Sequence, residues 1–335
     1  LPILGDLQNS REKHERALDI QLKYYGRAQV DVAYTYHHLG NVQYDRGNLE
    51  QAMKYHERAL EIQKENLGHD HIHLAFSFTT MGVVESELGN LQHAQHYFER
   101  ALDIRLKTPE QKDVNVARIY HELGNVQCKL GDLQKSEKCY KSALNIWSEK
   151  LGPDRVNASR TYFGLANVQR ILGNLQQAKE NCEHALEIQL TELGSEHDDV
   201  ALTYSNLGGI QRELGELEKA KESFEHALNI KLKKLGPEHA DVVPTYHSLV
   251  EVQHQLGDMQ QANVQFELND MQKAKELYER ALDIQLKNLE PDHNFVAFSY
   301  QSLGDVHRER GDLELAKEYH TRALNIRLKK IWSLA

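Results

Sequence analysis

Apolar and small residues recur along this chain with the three-to-four-residue spacing of an amphipathic helix. The pattern holds over residues 33–43 and again over residues 49–63. Gly47 separates the two stretches, and a glycine that accepts a left-handed backbone ends a helix. The Asn or Asp that follows the glycine, as in Asn48 and Asp132, is expected to cap the next helix. The pattern therefore predicts pairs of helices joined by short turns, and it requires no strand.

This helix pair repeats along the sequence. A glycine followed by a polar residue and Leu or Met marks the turn of each unit, and the first seven such glycines lie 42 residues apart. The series is Gly5, Gly47, Gly89, Gly131, Gly173, Gly215, Gly257 and Gly311. Internal repetition at a fixed period is the mark of a stacked repeat architecture.

A second set of glycines lies in the middle of the first helix of most units. Its members are Gly40, Gly82, Gly124, Gly208 and Gly304, while Ala166 and Val250 hold the position in two other units. Glycine inside a helix costs about 1 kcal/mol relative to alanine. We therefore expect a neighbouring helix to approach closely at each of these glycines.

Helix pairs that stack share a continuous core, which a single pair cannot form. We predict an all-α fold, a right-handed α-solenoid of antiparallel helix pairs, with one irregular unit near residues 257–270. The expected divisions are a partial first repeat that has its second helix only (1–28), regular 42-residue repeats (29–256), the irregular segment (257–270), the last helix pairs (271–330) and a tail outside the repeat (331–335).

The irregular segment arises because Gly257 and Gly311 lie 54 residues apart, an excess of 12 over the regular period. One interpretation is a helix that runs straight through Gly257, so that the array kinks or exchanges its last two units with a second molecule. The alternative is a local bulge absorbed by a short extra helix. The chain also begins without the first helix expected before Gly5, as a piece of a longer protein would.

Composition narrows the classes of function. The 335 residues carry a formal net charge of -10, which argues against general binding to nucleic acid. No apolar stretch reaches the roughly 18 residues that a membrane span requires. The three cysteines are too few and too irregular for a disulfide framework, so a reducing compartment, the cytoplasm, is expected.

The repeat resembles the tetratricopeptide repeat signature of an aromatic residue, a Leu-Gly pair and spaced alanines, here Tyr36, Leu39, Gly40, Gln43, Ala52 and Ala59. Its 42-residue period and the loop at residues 235–242 look like the kinesin-light-chain and nephrocystin-3 type of this repeat. The resemblance covers almost the whole chain. It implies a scaffold or adaptor that binds a peptide or protein and has no catalytic role.

The resemblance also implies a binding face. In such repeats the first helices line a concave groove, and here several cations of the middle units fall at groove positions. We expect them to attract an acidic, extended peptide, whose backbone the recurrent Asn side chains can hold. The candidate partner-binding residues are Asn41, Arg118, His121, Asn125, Lys129, Arg160, Phe163, Asn167, Arg170 and Arg212. The alternative is that the arginines pair with Asp and Glu on adjacent helices.

Other chemistry finds little support in the sequence. The cluster His69, Asp70, His71 and His73 contains metal-ligand residue types, but it lies in the loop between units, where isolated His239 and His293 recur. No Cys-x-x-Cys pair, phosphate loop or nucleophile elbow is present. We therefore expect no metal, no cofactor and no enzymatic activity.

The leading hypothesis is a scaffold that binds a protein or peptide in its groove, with no nucleic-acid or membrane partner. The alternative is a structural module that assembles with itself, as a homodimer, through its ends or through the irregular segment. If the first hypothesis holds, charge reversal in the groove should abolish ligand binding. If the second holds, removal of the irregular segment should change the oligomeric state.

Overall fold

The computed structural model describes residues 2–24, 30–107, 114–149, 155–237, 239–260, 267–288 and 290–332. Its regular elements are helices, with no strand in these ranges, as the sequence predicts. They are α1 (Pro2–Tyr24), α2 (Val30–Asp45), α3 (Leu49–Leu67), α4 (Ile72–Glu87), α5 (Leu91–Leu106), α6 (Val114–Lys129), α7 (Leu133–Glu149), α8 (Arg155–Ile171), α9 (Leu175–Glu192), α10 (Asp198–Glu213), α11 (Leu217–Leu235), the 3₁₀ helix η1 (Ala240–Val242), α12 (Val243–Gln260), α13 (Glu267–Asn288), α14 (Asn294–Glu309) and α15 (Leu313–Trp332).

The chain divides into two compact units, Leu1–Val168 (unit 1) and Gln169–Ala335 (unit 2). In unit 1, α2 packs against α3, α4 against α5, and α6 against α7. In unit 2, α10 packs against α11, α12 against α13, and α14 against α15. These consecutive antiparallel pairs confirm the all-α solenoid architecture that the sequence predicts.

Six of the eight predicted turn glycines form a turn inside a helix pair. The prediction of a turn is wrong for Gly5 and Gly257, which lie within α1 and α12. Gly47, Gly89, Gly131, Gly173, Gly215 and Gly311 all have φ between 77° and 85°. At the first of these turns, the backbone N–H of Asn48 donates to the carbonyl of Gln43, with a donor–acceptor distance of 2.9 Å. This bond satisfies a carbonyl at the end of α2, because a left-handed residue turns the chain back over the helix end.

The predicted side-chain caps of the second helices are only partly correct. Asn48 and Asn90 make no capping hydrogen bond, so that prediction is wrong for both residues. Their amides donate instead to the side chains of Gln43 and Glu85 on the preceding helix, at 2.9 and 2.7 Å. Asp132 does act as a cap, because its Oδ1 accepts from the backbone N–H of Lys135 at 3.3 Å.

Histidine caps the first helix of several pairs, a role that sequence reasoning missed. In each case Nδ1 accepts from the backbone N–H two residues later, over distances of 3.1 to 3.3 Å. The capping residues are His71, His197, His239 and His293. The isolated histidines of the loops therefore have a structural function at helix starts.

The mid-helix glycines lie against rings of the following helix. A Cβ atom at Gly40 would come within 2.5 Å of the His56 ring, and one at Gly124 within 2.7 Å of the Tyr140 ring. Gly82, Gly208 and Gly304 face the rings of Phe98, Phe224 and His320 in the same way. The expected close approach is confirmed, and it explains why glycine is tolerated inside these helices.

The core of each unit follows the helix pairs. In unit 1, Phe98 and Met81 belong to one buried cluster that joins α3 through α6. In unit 2, Phe224 and Tyr246 belong to a cluster that joins α11, α12 and α13. Among the described helices none is both long and apolar enough to cross a membrane.

The irregular segment lies between α12 and α13. Helix α12 passes through Gly257 and ends at Gln260, and α13 begins at Glu267. The intervening residues 261–266, which belong to the predicted insertion, lie outside the described residues. Whether the last units exchange with a second molecule stays a prediction.

The next junction nevertheless has regular geometry. In unit 2 the ring centroids of His247 on α12 and Phe298 on α14 lie 4.9 Å apart. In unit 1 the equivalent rings, His37 on α2 and Phe76 on α4, lie 4.6 Å apart. Helix α14 therefore contacts α12 as α4 contacts α2, although the chain between α12 and α14 is longer.

Candidate functional site

Unit 1 contains a groove of about 440 Å³ on its first helices. Helix α4 contributes one wall, α6 the floor and α8 the opposite wall, and a single ring from α7 reaches through between them. The lining residues are Val83, Ser86, Glu87, His121, Glu122, Asn125, Cys128, Lys129, Tyr140, Arg160, Phe163, Gly164 and Asn167.

Six of the ten candidate binding residues meet in this groove. They are His121, Asn125, Lys129, Arg160, Phe163 and Asn167. They come together because α6 and α8 are first helices of successive units, so residues at equivalent repeat positions project to the same side. The repeat-position rule therefore placed these side chains at one cavity.

A hydrogen-bonded network fixes Asn125. The hydroxyl of Tyr140 donates to Asn125 Oδ1 at 2.6 Å, and Asn125 Nδ2 donates to Glu122 Oε2 at 3.2 Å. The amide is therefore oriented before any ligand arrives, and one of its two N–H bonds is already used. Burial raises the pKa of Tyr140, so its hydroxyl stays protonated as the donor.

Two glycines make room for the Tyr140 ring. A Cβ atom at Gly124 would lie 2.7 Å from Cε1 of the ring, and one at Gly164 would lie 2.7 Å from Cζ and 2.9 Å from the hydroxyl. The ring is 2% exposed, yet its hydroxyl end reaches the groove. The Tyr140 ring therefore occupies space left by glycine in both its own unit and the next one.

His121 is held inside the groove wall. Its Nδ1 lies 3.0 Å from Oγ1 of Thr161 on α8, and its ring centroid lies 5.7 Å from that of Tyr140. Burial lowers the pKa of His121, while Glu122 raises it and Arg160 lowers it further. The neutral imidazole is therefore favoured, and His121 adds little positive charge to the groove at neutral pH.

The groove carries charges of both signs. Lys129 and Arg160 line it together with Glu87 and Glu122. Lys129 Nζ lies 3.4 Å from the hydroxyl of Ser86, to which it donates. The surface is therefore less uniformly positive than the candidate set suggests. Glu87 occupies the same repeat position as Lys129, one unit earlier, and Glu122 lies at a position outside the candidate set.

The other four candidates lie outside this groove. In unit 1, Asn41 is half-buried on α2 and Arg118 is exposed on α6, and neither lines the cavity. In unit 2, Arg170 and Arg212 each approach a glutamate on the next first helix. The structure therefore divides the predicted set instead of joining it in one site.

Arg170 forms an ion pair with Glu213. Its Nε and Nη2 atoms lie 2.9 and 2.5 Å from the same carboxylate oxygen, and Nη1 lies 3.4 Å from Asn206 Oδ1. Gly209 lies beside the guanidinium, where a Cβ atom would come within 3.1 Å of Nη1. Arg212 pairs in the same manner with Glu251. For these two arginines, pairing with adjacent helices describes the structure.

Sequence reasoning missed three lining residues, Glu122, Tyr140 and Gly164. Tyr140 occupies the position of Phe98 and Phe224, so its hydroxyl was the one signal of a polar role. Gly164 replaces the bulkier residues found at its position in other units, such as Thr80. The combination of this tyrosine with the additional glycine was the sequence signal that a ring reaches into the groove.

The histidine-rich loop shows no ligand set. His71 uses its Nδ1 to cap α4, and its ring stacks on that of His73 with centroids 5.0 Å apart. Among the described residues, no group of three or more His, Cys, Asp or Glu side chains is placed to hold a metal ion. The three cysteines, Cys128, Cys139 and Cys182, are present as free thiols.

Comparison with known families identifies the repeat. The tetratricopeptide repeat profile matches residues 3–65, 31–107, 115–191, 165–233, 199–267 and 259–329, which together span nearly the whole chain. The chain belongs to the tetratricopeptide repeat family. No curated protein matches this sequence.

Solved tetratricopeptide structures share its fold. BtubC (BKLC) from P. vanneervenii is 23% identical over 72% of this chain and 92% of its own, with a TM-score of 0.54. A candidate kinesin light chain from Podosopora anserina is 24% identical over 65% of this chain and 98% of its own, also with a TM-score of 0.54. The fold is thus that of a tetratricopeptide repeat protein of the kinesin-light-chain type, as the repeat length predicts.

A larger protein contains a similar array. The signal-transduction ATPase PH0952 from Pyrococcus horikoshii, which has a tetratricopeptide repeat sensor, is 16% identical over 97% of this chain and 49% of its own, with a TM-score of 0.65. Identities this low establish the shared fold and leave the ligand to the residues of the groove. Tetratricopeptide arrays serve as protein-interaction scaffolds, and the present chain is one of them.

Proposed function

We propose that this tetratricopeptide repeat protein binds an extended, acidic segment of a partner protein in the groove of unit 1. The observation that carries the proposal is the meeting of Lys129, Arg160, Asn125 and Asn167 around one cavity of about 440 Å³. Cations grip carboxylates, and side-chain amides pair with peptide groups. An extended acidic segment presents its carboxylates and its peptide groups to the same wall of the groove.

The network beneath the groove supports recognition of a peptide backbone. Tyr140 and Glu122 hold the Asn125 amide, so one N–H remains directed to the groove without first having to be ordered. Preorganisation of this kind lowers the entropy lost on binding. Phe163 and Val83, at opposite walls, supply apolar contact area beside these polar groups.

The two carboxylates of the groove limit the ligand. Glu122 is already used by Asn125, whereas Glu87 is exposed at the rim. A partner segment therefore carries carboxylates where it meets Lys129 and Arg160 and avoids a negative charge beside Glu87. Specificity then comes from the charge order of the segment as well as from its net charge.

The proposal includes a scaffold rather than a catalyst, acting as an adaptor in the cytoplasm with no nucleic-acid or membrane ligand. The relatives support a binding module, because one is named as a kinesin light chain and another carries a repeat sensor. The expectation of a reducing compartment still rests on the cysteine usage. These finer statements go with the groove hypothesis and are tested with it.

The test is a library of extended peptides of varied charge order, screened against the full chain at low and moderate salt. Wild type is compared with Lys129→Gln/Arg160→Gln, and the matched control is Arg170→Gln/Arg212→Gln in unit 2. We expect acidic peptides to be enriched by wild type and by the control, and lost with the groove variant. Enrichment that ignores salt and the groove variant would refute the proposal.

Self-assembly makes a different prediction. If residues 257–270 mediate a homodimer, removal of Met259–Asn269 lowers the mass in solution, and the groove variant leaves that mass unchanged. Sedimentation equilibrium of wild type and both variants separates the two hypotheses. If wild type is a monomer at all concentrations and binds acidic peptides, self-assembly is excluded and the groove hypothesis is supported.

A further inference from the structure

Unit 2 exposes apolar side chains at one repeat position of three successive first helices. Leu202 on α10 is 52% exposed, Phe298 on α14 is 45% exposed, and Pro244 on α12 is exposed between them in the repeat order. Each lies six residues before the mid-helix position of its unit. We call Leu202, Pro244 and Phe298 the apolar row.

Contacts between these helices make the row continuous. Arg212 on α10 is paired with Glu251 on α12. Across the next junction, the ring of His247 on α12 lies 4.9 Å from that of Phe298, and its Nε2 lies 3.2 Å from the hydroxyl of Ser299 on α14. The three helices are therefore neighbours, and each contributes one side chain of the apolar row.

Five charged side chains of these helices have partners within the chain. Arg212 pairs with Glu251, Glu213 pairs with Arg170, and Arg308 lies 3.3 Å from Asp305. A charged ligand would have to compete with these contacts and would gain little Coulomb energy from them. The surface is thus complementary to an uncharged segment with apolar side chains.

Helix spacing indicates the conformation of such a segment. Helices in contact lie about 8–10 Å apart. A polyproline II segment advances about 3.1 Å per residue with three residues per turn, so side chains three residues apart lie on one edge, separated by about 9 Å. In a β-strand, same-face side chains are two residues apart and separated by about 7 Å. The polyproline II spacing falls within the range for contacting helices, and the strand spacing is shorter than that range.

The size of the row favours a short segment over a second copy of this chain. Stable protein interfaces bury about 800 Å² per partner, from about 20–30 residues a side. Three exposed side chains supply far less area. A short segment in the polyproline II conformation suits such a strip, because it loses little conformational entropy on binding.

We propose that the apolar row of unit 2 is a second docking surface, which binds an uncharged polyproline II segment with apolar side chains at every third residue. This surface is separate from the groove of unit 1 and differs from it in ligand chemistry. Binding to this surface needs no contribution from Lys129 or Arg160, so it can be tested independently of the proposed function.

The probes are two fluorescein-labelled synthetic peptides of identical composition, built from Leu, Pro, Gln and Ser. One carries its three leucines three residues apart, and the other carries them two residues apart. Fluorescence polarisation against the full chain gives the dissociation constant of each. We expect the three-residue spacing to bind at least about tenfold more tightly, with an affinity that does not fall as salt increases.

The variant Leu202→Ser/Phe298→Ser removes two exposed side chains of the row, and its fold is checked by circular dichroism and thermal unfolding. The matched control is Phe76→Ser, which changes the same repeat position in unit 1, where Phe76 is 49% exposed. We expect the row variant to weaken binding by about tenfold or more. We expect Phe76→Ser and Lys129→Gln/Arg160→Gln to leave the affinity unchanged.

Several outcomes would overturn the proposal. They are equal binding of the two spacings, no binding of either peptide at the highest soluble concentration, and an equal loss in the row variant and Phe76→Ser. Concentration-dependent self-association that the row variant abolishes would instead assign the row to contacts between copies. Failure of this test leaves the acidic-peptide screen unaffected, since that screen depends on different residues and on salt.

Discussion

Cationic side chains on the first helices have different surroundings in the two units. In unit 1, Arg160 and Lys129 border an open groove. In unit 2, Arg170 and Arg212 are neutralised by glutamates of the next first helix. The two cations of unit 1 therefore line a cavity, and the two of unit 2 lie against glutamates of the following repeat.

The residue directly after the mid-helix position also differs between the two units. The residue directly after the mid-helix position is Asn125 in one repeat and Asn167 in the next, and both line the groove of unit 1. In unit 2 the equivalent residue is Gly209, and its missing side chain leaves room for the Arg170 guanidinium. The residue at this one position therefore decides whether an amide lines the groove or an arginine packs against the helix backbone.

The largest effect is expected from the buried rings of the second helices. Tyr140→Ala in unit 1 and Phe224→Ala in unit 2 each remove a ring that is at most 3% exposed, and we expect each to lower the free energy of unfolding by about 3–5 kcal/mol. Urea unfolding followed by circular dichroism measures both. A loss below about 1 kcal/mol in either variant would contradict the packing described here.

Exchange of the two ring types sharpens this comparison. Tyr140→Phe removes one hydrogen bond to Asn125 and should cost about 1 kcal/mol. Phe224→Tyr adds a hydroxyl where the position equivalent to Gly164 is Ser248, so we expect it to destabilise unit 2 through overpacking by about 1–3 kcal/mol. Adding Ser248→Gly should relieve that loss. If Phe224→Tyr is neutral alone, Gly164 is not needed for the tyrosine.

Buried histidines should make both units sensitive to acid. Burial lowers the pKa of His37 in unit 1 to about 3 and that of His247 in unit 2 to about 4, from an ordinary value of 6.5. His56 and His38 lower the pKa of His37 further. Between these values the unfolded chain binds more protons than the folded one, so stability is full above about pH 6.5 and falls as the pH falls.

We expect each of these imidazoles to cost about 2 kcal/mol between about pH 7 and about pH 5. His37→Phe should remove that part of the pH dependence, because neither ring nitrogen of His37 has a hydrogen-bond partner to lose. His69→Gln, at an exposed loop position, is the control. Urea unfolding at several pH values measures the slope, and an unchanged slope in His37→Phe would contradict the assignment.

The histidine caps should show a smaller effect that differs between the units. His71→Ala removes the cap of α4, whose first turn has no acidic residue, and we expect a loss of about 1 kcal/mol. His197→Ala removes the cap of α10, where Asp198 and Asp199 still interact favourably with the helix N-terminus, so the loss should be smaller. Thermal unfolding compares them, with His71→Asn as the variant that keeps a cap acceptor.

Much of the fold could be predicted from the sequence because the same residue pattern recurs in each unit. The turn glycines, the mid-helix glycines and the helix-pair pattern recur at a fixed period, so a single interpretation applies to every unit. The side-chain caps were less predictable, since Asn48 has a choice of partners and donates to Gln43 instead of capping α3. Local competition of this kind lies outside a pattern of residue types.

The candidate site was predictable where position alone decides it. His121, Asn125 and Phe163 reach the groove because repeat position fixes their direction. Arg170 and Arg212 required a second reading, of the residues 43 and 39 positions later, where Glu213 and Glu251 stand. A rule that examines each repeat separately cannot predict an ion pair that forms between two repeats.

The smallest effect is expected from that ion pair itself. Arg170 and Glu213 are about one-third exposed, with side-chain exposures of 31% and 34%, so a double-mutant cycle of Arg170→Ala and Glu213→Ala should give a coupling of about 0.2–1 kcal/mol. Lys129→Ala, the control from unit 1, should change stability by less than about 0.5 kcal/mol. Urea unfolding measures the cycle, and the peptide screen measures binding. A coupling of zero, combined with loss of acidic-peptide binding in Arg170→Ala, would return Arg170 to the binding set and remove the contrast between the units.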